Sequence, residues 1–362
     1  MTYQLKTRQV CLFFIAFLPA TKFFMLPSIL AKSADEAMWI SALILFVADF
    51  LTLLALTFAC RKAETDFYGL LEMNFGKVGS KIILGAYLLF FLLKSIIPIN
   101  EQKDYVILTL YETMPNSFNF LPIFLVSFYF CVKSKRVIGR CSDLLWIATT
   151  IGLTILFVFS VSSTDFGSML PFFAKSAGQI FKGAYLGSSW YGDAVYLMFF
   201  LGDFAFKKKD TIKILGAFAL ASLAVIFFMI VFYGIFTSIA FRQLFALTEI
   251  SKYTSVINNM GRFDYIGIIN ILFTGIFSLA LPLYFATEIL TKIFPFKTKW
   301  VPALIVNLGM LLFNVFFNEF FASIEYFILN FASAYFILLG NVLPVFTLLL
   351  KKKEKNYALY TN

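Results

Sequence analysis

Apolar runs of about twenty residues, parted by short polar connections, recur along the whole chain. We read ten of them, at about 10–30, 38–60, 82–99, 118–132, 144–161, 180–206, 214–240, 265–290, 301–317 and 326–350. A bilayer core about 30 Å thick is crossed by roughly 20 helical residues, so each run predicts a membrane-spanning α-helix. The fourth and ninth are short, which predicts little tilt or partial burial in protein. The longest polar connections, 61–81 and 241–264, are too short to fold alone, so one transmembrane domain is expected over 1–362.

Basic residues fall in alternate gaps. Lys6 and Arg8 precede the first run. Arg61 to Lys81, Lys133 to Arg140, Lys207 to Lys213, Lys292 to Lys299 and Lys351 to Lys355 then share that side, giving 21 of the 30 Lys and Arg residues. Positive loops stay cytoplasmic, so both termini are expected there. Placed this way, the net charge of +10 is a topology signal and an attraction to anionic membrane lipids, and no nucleic-acid partner is expected.

Ten runs divide five and five, at 8–162 and 180–350. Five is odd, so a repeat of the first half must run inverted through the membrane. Inverted repeats of this kind carry leading helices broken at mid-membrane. Pro19 and Pro27 bracket Ala20-Thr21-Lys22-Phe23 in the first run, and proline removes a helix donor. The sixth run holds three glycines and two serines between Lys182 and Asp193. That composition predicts a second break or, equally, close helix packing through Gly183 and Gly187. In the connection after the second run, Phe67, Leu70, Leu71 and Phe75 line one side of a helix that Gly76 and Gly79 end. Such a helix lies along the cytoplasmic interface or against the bundle.

Composition agrees with the pattern. Hydrophobic residues make up 60%, charged residues 14%, and mean hydropathy is +0.86, more apolar surface than a soluble fold can cover. Histidine is absent and the four cysteines lack metal-ligand spacing. No imidazole can serve catalysis or metal binding, and no phosphate-binding glycine loop appears. No enzyme, cofactor or metal is expected.

Several motifs, in order, resemble the permease-like B subunit of bacterial spore germinant receptors, within the amino acid–polyamine–organocation transporter superfamily. They are Leu26-Pro27-Ser28 followed by Asp35-Glu36-Ala37-Met38-Trp39-Ile40-Ser41, the segment Phe67 to Ile82, Leu170-Pro171-Phe172, then Lys182-Gly183-Ala184 and Gly192-Asp193, and Arg262-Phe263-Asp264. The family often carries Gly-Glu where this chain has Gly192-Asp193. The resemblance implies an all-α bundle of LeuT-like type, ten helices in a five-plus-five inverted repeat with discontinuous first and sixth helices. It also implies a spore inner-membrane protein that senses a small germinant, commonly an amino acid, beside an A subunit and a C-subunit lipoprotein.

In a broken-helix site, half-helix N–H groups bind carboxylates and freed carbonyls bind amines or cations. This assigns ligand binding to Thr21, Lys22, Phe23, Ser188, Ser189, Trp190 and Tyr191. A lysine at mid-membrane costs at least a few kcal/mol. Lys22 therefore either faces inward with a partner, filling a cation site or selecting an anionic ligand, or snorkels to the interface. Asp193 is a candidate partner of Lys22. Asp49 and Asp203 are candidates to pair with Lys22 or Lys94 or to accept protons, with helix-packing hydrogen bonds as their alternative role, while Glu288 is expected to pair with Lys292 at i, i+4. Against the receptor stand two other readings: an autonomous proton- or sodium-coupled amino-acid transporter, and an ion conduit or scaffold with no small-molecule site.

Overall fold

The computed structural model describes residues 4–60, 66–109, 116–170, 175–204, 206–253 and 264–349. Arg61, Lys62, Glu64, Pro171, Phe172, Arg262, Phe263 and the basic tail from Lys351 lie outside them. Everything regular among the described residues is helical. Six stretches are long and apolar enough to cross a membrane, and three shorter apolar helices accompany them.

The first crossing is two helices, α1 (Thr7–Ala20) and α2 (Leu26–Ala34). Pro19 sits in the last turn of α1 and Pro27 in the first turn of α2, where a missing N–H breaks no helical bond. The five residues between them are non-helical. The second crossing, α3 (Met38–Cys60), is continuous. The third, α4 (Phe67–Thr109), absorbs the amphipathic segment, and only Gly76 at φ 72°, ψ 176° interrupts it. The segment is thus a bent extension of the third crossing, with Phe67 and Leu71 buried. After α5 (Asn116–Val132) and α6 (Arg136–Ser160), the chain reaches α7 (Ala177–Gly187).

There the sixth crossing breaks. A single 3-10 turn (Ser188–Trp190), an extended Tyr191 and Gly192 at φ 81° separate α7 from the five-residue α8 (Val195–Phe199). Helical structure ends short of the expected position 206, because Gly202 turns at φ 83° against the Asp66 backbone. Then follow α9 (Asp210–Phe236), α10 (Ala246–Tyr253), α11 (Asp264–Ile293) and α12 (Trp300–Phe316). The last crossing joins α13 (Phe321–Phe327), α14 (Ser333–Ile337) and α15 (Leu343–Leu349) through two π-helical segments, Ile328–Ala332 and Leu338–Val342.

α1 packs against α6, α9 and α11, and α11 against α4 and α5, so the two broken crossings are enclosed by the long helices. Phe91, Tyr196, Phe199 and Phe285 stack at ring-centroid distances of 5.2–5.9 Å where α4, α8 and α11 meet. Many phenylalanines elsewhere are exposed on the bundle's outside, such as Phe58, Phe181 and Phe316, as lipid-facing positions require.

Candidate functional site

Both breaks lie side by side, and four buried charges fill the space between them. Lys22 has no exposed surface. Its Nζ donates to the carbonyl of Leu18, 3.0 Å away at the end of α1, and to Asp193 Oδ2, while the Tyr191 ring lies 5.0 Å from it. Snorkelling is therefore not what this lysine does. Lys94 reaches from α4 to donate to the Tyr191 carbonyl in the second break, with Asp193 Oδ1 3.4 Å away.

Asp49 does a different job. Its carboxylate accepts from the backbone N–H of Gly192 at 3.0–3.1 Å and of Asp193 at 3.1 Å, and from Asn341 Nδ2 at 2.8 Å. It thereby satisfies the amides that the helix break exposes. Gly192 meets two needs at this point. Its positive φ suits glycine, and a Cβ there would lie 3.3 Å from the Gly340 Cα.

Asp203 departs from its expected role as a partner of Lys22 or Lys94. It lies at the far end of the sixth crossing, where Lys135 Nζ donates to its Oδ2 at 2.6 Å and to the Phe199 carbonyl at 2.7 Å. Glu288 pairs with the same Lys135 at 2.9 Å rather than with Lys292, which lies 3.7 Å from Asp66. Burial works against charge on Lys135, but Glu288 and Asp203 outweigh it and hold its pKa above the ordinary lysine value.

A cavity of about 30 Å³ opens beside the charge cluster, where α1, α4, the second break and α11 converge. It has room for about two water molecules. Thr21, Ser95, Ser189 and Ser278 contribute hydroxyls, Lys94 and Asp193 charges, and Phe13, Phe17, Pro98, Trp190, Tyr196 and Pro282 apolar walls. Ser189 Oγ is buried with no hydrogen-bond partner among the described residues. Trp190 Nε1 donates to Glu101 Oε1 at 3.1 Å, and the other Glu101 oxygen, also buried, is unpartnered among the described residues.

Among the assigned ligand residues, Thr21, Ser189 and Trp190 line this cavity, whereas Lys22 and Tyr191 stand behind it. Ser188 donates to the Ser333 carbonyl at 3.3 Å and serves packing. Phe23 lies away from the cavity. Its ring packs on Phe228 at 4.5 Å and its carbonyl accepts from Leu247 N at 3.1 Å. Sequence reading missed Ser95, Glu101, Ser278 and Asn341. Glu101 was the one with a signal, an acid inside what proves to be a continuous helix, though the third crossing was expected to end at 99.

The spore permease family model, described as "Spore germination protein", matches residues 4–346. The chain belongs to this family of permease-type membrane proteins. No curated protein matches it. Among solved structures, the crystal structure of MhsT in complex with L-phenylalanine is similar at 13% identity with a TM-score of 0.59, over 94% of this chain and 97% of that one. The likeness assigns the fold, that of LeuT-type transporters.

Proposed function

We propose that this chain is the permease-like B subunit of a spore germinant receptor, sensing a small nutrient, an amino acid by class, in the cavity between the two breaks. Family membership supports the setting. One observation carries the site: a cavity between the breaks holds the Lys94–Asp193 pair and the Ser189 hydroxyl, partnerless among the described residues, with apolar rings as walls. A carboxylate and an ammonium would find complementary charges there, and a small apolar side chain would face Phe13, Phe17 and Tyr196. MhsT, of the same fold, was crystallised in complex with L-phenylalanine.

The cavity holds no more than about two waters, so a ligand enters only by moving helices apart, and that movement is the signal. The chain sits in the spore inner membrane with both termini cytoplasmic, in two inverted halves, 8–162 and 180–350. An A subunit and a C-subunit lipoprotein read its change of shape. Spores lacking this chain should lose their response to particular members of a panel of amino acids, sugars and salts, while growing cells keep normal uptake of the same compounds. Accumulation of a labelled amino acid by proteoliposomes containing this chain alone would instead establish the autonomous transporter.

A further inference from the structure

In folds with broken leading helices, unwound carbonyls and half-helix C-termini hold the coupling cation. Here the protein's own ammonium groups sit on such atoms. Lys22 Nζ is on the Leu18 carbonyl, four residues back along the terminating turn of α1, and Lys94 Nζ is on the Tyr191 carbonyl in the second break. Each has the rest of a cation's surroundings as well. Asp193 faces both, and the Tyr191 ring lies 5.0 Å from Lys22, within the range at which an aromatic ring attracts an ammonium. The charges also balance: Lys22 and Lys94 stand against Asp193 and Asp49, all four buried. A bound metal cation would add an unmatched charge to a site already neutral, at a desolvation cost of several kcal/mol.

We infer that Lys22 and Lys94 are tethered cations that replace dissociable ones at the two breaks, so that this site works without sodium, potassium or lithium. Asp193 is the hinge of the arrangement. It holds both ammonium groups at once, and its looser contact, 3.4 Å to Lys94, is the one facing the cavity. A ligand can take Lys94 while Lys22 keeps Asp193 and the end of α1 in place. Lys22 is then a positioning residue and Lys94 a binding one. The inference deepens the receptor reading and rests on it only for the step from cation occupancy to germinant response.

The decisive measurement is cation-dependent melting of the purified full chain in lipid nanodiscs, in sodium chloride against choline chloride at matched ionic strength. The wild-type protein should melt at the same temperature in both. Lys22→Ala should melt lower in choline chloride and recover, saturably, on addition of sodium or methylammonium, which can enter the vacated cage. Lys22→Met, which keeps it filled, should not recover. Saturable stabilisation of the wild type by sodium overturns the inference, and so does a folded Lys22→Ala that answers to neither cation. Should that variant not fold, Lys94→Ala supplies the same comparison at the Tyr191 carbonyl, and the wild-type arm decides by itself. None of these arms uses a germinant, so failure of the receptor reading would show separately, as unchanged nutrient responses in spores lacking the chain.

Discussion

Asp49 is the residue on which the second break depends. Two backbone amides and the Asn341 side chain converge on one buried carboxylate, and in a membrane no water replaces it. Asp49→Ala would strand those donors at roughly 1–3 kcal/mol each and leave two lysines facing one aspartate. Asp49→Asn keeps an acceptor oxygen but loses the charge. We expect both variants to melt lower, alanine more than asparagine, in thermal unfolding of the detergent-solubilised protein. Equal melting temperatures for wild type and Asp49→Ala would show that the break holds without its cap. The sequence marks Lys22, Asp49 and Asp193 as costly in a membrane, because charge in an apolar run is a local signal. Which acid meets which base is not local. Lys22 and Asp193 are 171 positions apart and Lys135 and Asp203 are 68, and no periodicity links such pairs.

At the scale of elements, the last crossing is fitted to the sixth. Its π-helical segment Leu338–Val342 brings Gly340 against Gly192, where a Cβ on Gly340 would stand 3.1 Å from the Gly192 Cα. The contact is backbone to backbone, so neither side can yield by a side-chain rotation. Gly340→Ala should cost about 1–3 kcal/mol through overpacking. Gly309→Ala in α12, where nothing lies within 4 Å of the added carbon, should be neutral or stabilising by up to about 1 kcal/mol. Melting temperatures of the two variants compare the same chemical change with and without the contact, and equal values would remove Gly340 from the account. The first break was legible in the sequence because Pro19 and Pro27 act on their own backbone. The Gly-Ser-rich stretch before Asp193 reads equally as a break or as close packing, and it does both: Gly183 and Gly187 pack closely on α2 and α3 just before the chain unwinds. The π segments and α10 were not legible, since they rest on distant partners. Asn341 turns toward Asp49, and the start of α10 bonds through Ala246 N to the Phe24 carbonyl at 3.3 Å.

For the molecule as a whole, polar ties join elements on both faces of the bundle. On the face carrying the N-terminus, residues 4 and 5 donate to the Asp203 carbonyl at 2.9 and 3.0 Å, and Lys135 ties Asp203 to Glu288 and the end of α8. On the opposite face, α10 covers the first break, and Asp35 holds Tyr233 at 2.8 Å and Lys175 at 3.3 Å. With ties on both faces, the weakest of them decides which face opens first. Lys135 joins three elements, and its loss would leave two half-buried carboxylates facing each other without the ammonium that bridges them. Partial exposure of both carboxylates reduces the cost of losing the lysine below the roughly 3–5 kcal/mol of a fully buried pair, but about 1.4 kcal/mol already shifts an open–closed ratio tenfold. Ser278 lines the cavity and is buried, so it reports on access. With the native cysteines replaced, a cysteine introduced by Ser278→Cys should react slowly with a membrane-impermeant thiol reagent applied to either face of reconstituted vesicles. Adding Lys135→Met should speed the reaction at least tenfold from the face that carries the N-terminus and leave the other rate unchanged. Unchanged rates from both faces would mean that packing around Phe91, Phe199 and Phe285, rather than the Lys135 ion pairs, keeps the molecule shut.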